Sequence, residues 1–361
     1  MSPTVAVVSP KVADKSPNSA HKSPNSADNS PNIADNSATP GRQLAHNCRQ
    51  LGHNYQEQQE RHQKNVKVFS SAFLAVFVLL VSRAELLTSY HTALHRVKHK
   101  PWAHGKNCSK RLGLVKQQIK LCRDNLDLMP SIARASSLSV ETCQSQFSDR
   151  RWNCSSIGRL PARSKDLVRG TREKAYVYGI ASAALVHTVA RACSIGVTTK
   201  CSCGILPNSA PSGTFKWGGC GDDVHFGMYF GERFTDPTLR SKKGKVKKST
   251  KAMMDEHNFA AGRAVVRESL TTACKCHGVS GSCSIKTCWK ALPDFDSIGA
   301  TLKQRYALAV EVKRRKRKKE HVLLPIQPGK GAFAEDELIY YAKSPDYCSP
   351  DEKTGSVGTR G

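Results

Sequence analysis

The chain has 361 residues, of which 39% are hydrophobic. That excludes a mini-protein held together by disulfides alone, and leaves room for two domains. A formal net charge of +27 predicts an anionic partner: nucleic acid, a membrane surface or a sulfated glycan. Fourteen cysteines are a high count for a reducing compartment, so the compartment must be inferred before the cysteines are interpreted.

Residues 1–67 are predicted to be a disordered, low-complexity extension. They include a loose seven-residue repeat, SPNSAHK, SPNSADN and SPNIADN, which begins at Ser16. Segments rich in Ser, Pro and Asn have too few apolar side chains to form a core. Cys48 lies in this extension.

Residues 68–84 are predicted to be a secretory signal peptide. The apolar run VFSSAFLAVFVLLV follows a basic flank and precedes small residues that suit a cut after Ala84. Its 14 residues are fewer than the roughly 20 needed to span a membrane. The internal position leaves two interpretations open, a start codon assigned too far upstream or an uncleaved anchor, and the short run favours cleavage. We therefore expect a secreted protein in the extracellular space and matrix.

Downstream of the signal, the pattern from Leu112 to Ala192 is mainly helical. The clearest helix spans 171–193, with Thr171 as its N-cap. A further helix is predicted from Met253 to Leu270. The charge runs at 241–251 and 313–319 are predicted to be solvated loops.

The densest cysteine cluster contains Cys274, Cys276, His277, Cys283 and Cys288. Thiolates and imidazole at this spacing are typical zinc ligands, so a nuclear basic protein with a zinc site is one alternative. In an oxidising compartment the same residues favour two nested disulfides across one hairpin, Cys276 to Cys283 inside Cys274 to Cys288. The signal segment favours the disulfides.

The hairpin tip presents a serine between two glycines. Three roles are open for this serine: an ordinary turn residue, a nucleophile beside a histidine, or an acceptor for covalent modification. The pattern G-x-S-x-G is not met, and no carboxylate pair or phosphate loop accompanies it, so an enzyme is disfavoured. The tip residues are His277, Gly278, Val279, Ser280, Gly281 and Ser282.

The motifs CKCHGVSGSC and KTCW resemble the Wnt family, together with CQSQFSDRRWNCSS, GTREKAYVYGIASAA, KWGGCGDD and SPDYC. Within that family the chain resembles the branch numbered eleven. The resemblance implies a mainly α fold: a helical, disulfide-stapled N-terminal domain over 85–322, with a protruding disulfide-braced β-hairpin, the thumb, at 274–288. It implies that 323–361 is a linker toward a C-terminal cysteine-rich domain, which we expect to be missing from this chain.

The resemblance also implies a function as a secreted signalling ligand in development. Ser280 matches the serine that the acyltransferase Porcupine esterifies with palmitoleate, which would enter the cysteine-rich domain of a Frizzled receptor. Such a ligand would need a lipid carrier during secretion. No other cofactor and no metal are expected.

The resemblance further implies the remaining disulfides. These are Cys108–Cys122, Cys143–Cys154, Cys193–Cys201 and Cys203–Cys220, in addition to Cys274–Cys288 and Cys276–Cys283. Because Cys48 precedes the proposed cut, thirteen cysteines remain, and we expect Cys348 to be unpaired.

Two Asn-X-Ser sequons, at Asn107 and Asn153, are predicted N-glycosylation sites. The basic run lacks the interleaved aromatic residues and recognisable fold of a nucleic-acid-binding region. In a secreted protein it favours heparan sulfate, although a convertase site or a plain solvated loop also fits. The candidate glycan-binding residues are Lys313, Arg314, Arg315, Lys316 and Arg317.

Overall fold

The computed structural model describes residues 102, 104–158, 167, 169–208, 215–239, 249–317 and 320–359. The predicted extension, the signal segment and Cys48 lie outside the described residues. Within the described ranges, no helix is both long enough and apolar enough to span a membrane. The described α-helices are α1 Lys116–Asp124, α2 Met129–Gln146, α3 Arg172–Ser194, α4 Val224–Thr235, α5 Thr250–Glu268 and α6 Phe295–Ala307.

The strands among the described residues form three small sheets. β1 (Phe215–Trp217) pairs with β3 (Lys286–Ala291), which pairs with β2 (Thr271–Cys276). β5 (Glu320–Pro325) pairs with β4 (Val310–Arg317), which pairs with β6 (Ile339–Tyr340). A third sheet, in the C-terminal segment, contains only β7 (Pro350–Asp351) and β8 (Ser356–Val357).

Helix α3 is the centre of the core and confirms the clearest predicted helix. Its N-cap is Thr171, whose hydroxyl accepts a hydrogen bond from Lys174 N at 3.3 Å. It packs against α2, α4, α5 and α6 and is buried on nearly all sides. Small residues allow α5 to approach closely: a Cβ on Gly262 would lie 2.1 Å from the carbonyl oxygen of Gly179.

A buried ion pair joins α3 to α5. Lys174 Nζ lies 2.7 and 2.8 Å from the two carboxylate oxygens of Asp255, and both side chains are almost fully buried. The ammonium group also lies 4.7 Å from the ring centroid of Tyr178. Burial lowers the pKa of Lys174 to about 8 and raises the pKa of Asp255, so each charge depends on its partner.

The basic run at 313–317 is a strand, so the loop prediction there was wrong. Buried Val310 and Val312 start β4 against the core, and pairing with β5 continues from Lys313 opposite Leu324 to Arg317 opposite Glu320. The strand therefore extends beyond the core, and its long basic side chains stay solvated. Residues 318–319 lie outside the described part of the chain.

The C-terminal segment packs against the residues between α2 and α3. Ser356 forms a β-bridge with Trp152, and Val357 N donates to Arg151 O at 2.8 Å. The described residues of the predicted linker 323–361 thus include paired strands and contacts to the helical domain.

Candidate functional site

The thumb hairpin is formed by β2 and β3. The two strands are antiparallel, with Cys274 opposite Cys288, and a disulfide joins that pair. A second disulfide joins Cys276, the last residue of β2, to Cys283 in the connecting loop. The nested bridges predicted from the spacing are confirmed. They brace the hairpin at two levels, and the short inner loop serves mainly to hold the tip in one shape.

Backbone hydrogen bonds close the tip above the inner disulfide. They run from His277 N to Ile285 O (2.7 Å), Gly278 N to Ser282 O (2.8 Å), Gly281 N to Gly278 O (2.9 Å) and Ser282 N to Val279 O (3.2 Å). The result is a single 3₁₀ turn over Val279–Gly281 with no buried residue. The side chain of Val279, in this turn, is 90% exposed.

Ser280 is the exposed polar residue of this turn. Its backbone is left-handed, with φ 56° and ψ 27°, a conformation that costs a serine about 1 kcal/mol. Its hydroxyl has no hydrogen-bond partner within the described ranges. His277 Nε2 instead lies 3.0 Å from Thr287 Oγ1, so the tip histidine contacts the strand rather than the serine.

The two tip glycines have different roles. Gly281 has φ +77°, as expected for a glycine that permits a tight turn. Gly278 has φ −69°, a backbone conformation that does not itself require a glycine. A glycine is needed at position 278 because there is no room for a side chain: a Cβ would lie 2.0 Å from Ser282 Oγ and 2.5 Å from Ser282 O. The left-handed residue is Ser280, which residue-type preference alone did not indicate.

The root of the hairpin is anchored by residues that the sequence motifs did not single out. Asp222 Oδ2 accepts from Leu292 N at 2.7 Å, and its Oδ1 accepts from Ser194 Oγ at 2.7 Å. The same residue's backbone N donates to Lys290 O at 3.0 Å. Asp222 therefore ties β3 to the end of α3. It belongs to the motif KWGGCGDD, which served only as a family signature.

His187 of α3 is a second anchor of the root. Its Nε2 lies 3.0 Å from Pro293 O, just after the hairpin, and its ring packs on Phe295 with centroids 5.3 Å apart. The side chain is only 4% exposed. Burial lowers the pKa of His187 below its ordinary value, and nearby Arg191 acts in the same direction.

The other disulfides are the four implied by the resemblance: Cys108–Cys122, Cys143–Cys154, Cys193–Cys201 and Cys203–Cys220. The expectation for Cys348 was wrong, because this residue is disulfide-bonded, to a partner outside the described residues. The zinc alternative fails at the thumb, since sulfurs bonded to each other are not thiolate ligands.

Both sequons lie in partly buried turns. Asn153 Oδ1 accepts from Ser155 N at 3.1 Å, while Asn153 N donates to Gly355 O at 3.1 Å. Asn107 ends a short 3₁₀ turn beside buried Cys108. The candidate glycan-binding residues lie outside the thumb, on the exposed part of β4.

Comparison with known proteins gives concordant matches. The family model described as "wnt family" matches residues 110–361. Protein Wnt-11b-2 of Xenopus tropicalis is 46% identical over 259 residues, 72% of this chain and 73% of that protein. Protein Wnt-11 of Gallus gallus is 41% identical over 298 residues, 80% of this chain and 81% of that protein. These relatives confirm the resemblance to the branch numbered eleven.

Two solved structures are also similar. A chain in the structure of human WLS in complex with WNT8A is 33% identical, with a TM-score of 0.45, and the match covers 64% of this chain and 73% of that one. The N-terminal domain and linker of Drosophila WntD are 25% identical, with a TM-score of 0.42, and the match covers 60% of this chain and 97% of that one. From the family match and the two Wnt-11 relatives, the chain belongs to the Wnt family of secreted, non-enzymatic signalling proteins of development.

Proposed function

We propose that the chain is a secreted Wnt ligand that carries palmitoleate on Ser280 and binds the cysteine-rich domain of a Frizzled receptor through that lipid. The observation that carries the proposal is the position of Ser280. It lies on an exposed turn above two disulfides, with a hydroxyl that has no partner among the described residues. The resemblance supplies Porcupine as the acyltransferase, and the open tip supplies access for it.

The energetics favour a rigid tip for this purpose. Burying an acyl chain contributes about 0.8 kcal/mol per methylene, or on the order of 10 kcal/mol gross for a long chain. Ordering costs reduce that gain, and a hairpin already braced at Cys274–Cys288 and Cys276–Cys283 reduces those costs. The same lipid would be insoluble in water, so the proposal includes a carrier that shields it during secretion.

The test compares two serines of the same tip. Ser280→Ala should weaken binding to a Frizzled cysteine-rich domain by at least about 100-fold, because the lipid contact is lost. Ser282→Ala is the matched control and should stay within about twofold, since the only side chain to which its hydroxyl is hydrogen-bonded among the described residues is that of exposed Ser284. Binding would be measured by interferometry on protein secreted from cells with active Porcupine.

Mass spectrometry of the peptide that contains residues 274–288 completes this test. An unmodified Ser280 in secreted protein, or equal affinity of wild type and Ser280→Ala, would refute a lipid-dependent contact. Secretion itself is tested by N-terminal sequencing of the product from the medium. A product that begins after Ala84 is expected, and one that retains the Ser-Pro repeats would contradict cleavage.

We also propose heparan sulfate as a second partner. The support is the exposed half of β4, where Lys313, Arg315 and Arg317 alternate along one side of an extended strand. A linear polyanion could contact several of these cations at once, and such contacts weaken with salt.

A further inference from the structure

The loop after α3 displays aliphatic side chains that the thumb does not use. We name residues 193–206 the stapled loop, because Cys193–Cys201 lies within it and Cys203 is bonded to Cys220. Contiguous exposed apolar surface on a soluble protein commonly marks an interaction site. The exposed fractions are 73% for Ile195, 40% for Val197, 83% for Ile205 and 36% for Leu206.

Both halves of the stapled loop are held against the same short segment. Ser194 Oγ donates to Asp222 Oδ1 at 2.7 Å, and Gly204 N donates to Gly221 O at 2.9 Å. Ile195 directly follows Ser194, and Ile205 directly follows Gly204. Both isoleucines therefore lie next to residues that are held against Gly221 and Asp222. The two side chains are therefore exposed on a segment that hydrogen bonds and disulfides hold in place.

The charged residues of the chain segment that contains the stapled loop have one sign. No Asp or Glu occurs from residue 175 to residue 221, whereas Arg191, Lys200 and Lys216 are exposed in that range. The next acidic side chain, Asp222, is buried and already accepts two hydrogen bonds. Asp223 follows it and caps α4 by accepting from Phe226 N. Aliphatic side chains with a cationic border suit the surface of an anionic bilayer.

We propose that the stapled loop is a peripheral membrane contact that inserts Ile195 and Ile205 at the headgroup boundary of an anionic bilayer. Arg191, one helical turn before Ile195, and Lys200, next to the bridged Cys201, pair with lipid phosphates. The inserted residues lie on the membrane rather than span it. This contact is separate from the Ser280 lipid and would orient the ligand at a cell surface whether or not a receptor is bound.

The test uses the full chain with Ser280→Ala, so that an acyl chain cannot provide the binding. This protein should bind vesicles of phosphatidylcholine with about 30% phosphatidylserine in sedimentation assays. Ile195→Ser combined with Ile205→Ser should weaken that binding by about tenfold or more. The matched control is Leu308→Ser combined with Ile326→Ser, which removes two aliphatic side chains exposed by 72% and 42% elsewhere and should change nothing.

Two further measurements keep the proposal independent of folding defects. Lys200→Gln should weaken binding to the anionic vesicles about fivefold. Brominated lipids should quench the fluorescence of an Ile205→Trp variant more than that of a Leu308→Trp variant. Equal vesicle binding by the two double variants, or equal quenching, would overturn the proposal. If the Ile195→Ser and Ile205→Ser double variant bound vesicles as before but no longer bound a protein partner, that result would also overturn the proposal and identify a protein contact instead.

Discussion

Lys174 and Asp255 form a buried pair in which neither charge is tolerable alone. Lys174→Met should destabilise the protein by about 3–5 kcal/mol, because Asp255 would remain buried without its partner. Adding Asp255→Leu should recover most of that loss. Urea unfolding of the disulfide-intact secreted protein would measure both.

An exposed pair provides the control for this prediction. Lys303 lies 3.0 Å from Asp149, but the two side chains are 27% and 59% exposed. Lys303→Met should change the free energy of unfolding by no more than about 1 kcal/mol. If Lys174→Met changed the free energy of unfolding by as little as Lys303→Met, the prediction for the buried pair would be wrong.

His187 makes stability depend on pH at the root of the thumb. Because burial lowers its pKa in the folded state, the unfolded chain binds more protons below about pH 6.5. Its contribution is therefore complete at neutral pH and decreases as the pH falls from about 6.5 toward the folded pKa. The slope from one such group is at most about 1.4 kcal/mol per pH unit.

The histidine prediction is checked by unfolding at several pH values. His187→Gln should flatten the loss of stability between about pH 7 and pH 5. His225→Gln, a substitution of an exposed histidine on α4, should leave it unchanged. Part of the slope should persist, since burial also lowers the pKa of His257, whose Nε2 lies 2.7 Å from Glu337 O. Equal slopes for His187→Gln and wild type would contradict the assignment.

At the scale of secondary-structure elements, the thumb depends on the space at Gly278. Gly278→Ala should reduce acylation of Ser280 severalfold, because the new Cβ would overlap Ser282 and displace the turn. Gly331→Ala is the control, since a Cβ there meets nothing within 4 Å. Acyl occupancy would be measured by mass spectrometry beside the thermal midpoint, and equal occupancy in the two variants would count against the steric argument.

Helices were the elements best predicted from the sequence, since their signals are local. Thr171 was identified as the cap of α3 because a hydroxyl there precedes a long helical pattern, and it is the cap. Helix α5 begins at Thr250, three residues before the predicted start at Met253, because Ser249 caps it by accepting from Ala252 N. Because the charge run at 241–251 was predicted to be a loop, Ser249 was not identified as a helix cap.

Strands and tip geometry were less predictable because they depend on distant partners. The part of β4 from residue 313 was predicted to be a loop from its composition, whereas the pairing of the strand with β5 and β6 decides its conformation. The left-handed backbone of Ser280 follows from the hydrogen bonds and nested bridges around it. The anchoring roles of Asp222 and His187 depend on the packing of α3 against the end of β3, and no local sequence pattern predicts that packing.

At the scale of the whole molecule, the net charge of +27 predicts salt-sensitive binding to heparin. Replacing Lys313, Arg315 and Arg317 by Gln should lower the salt concentration of elution from a heparin column more than the same number of replacements elsewhere. The control is Lys116→Gln, Lys120→Gln and Arg123→Gln, three exposed cations of α1. Equal shifts would show that total charge, rather than the β4 surface, governs the affinity.

The order of the disulfides along the chain has a consequence for synthesis. The six disulfides between described residues join cysteines separated by 7 to 17 positions, and no two of them interleave. As a chain is translocated from its N-terminus, each of these twelve cysteines therefore meets its partner before the next group emerges. Oxidation can proceed vectorially behind the ribosome, and the thumb, whose four cysteines emerge after those of the other four pairs, closes onto a domain that is already cross-linked.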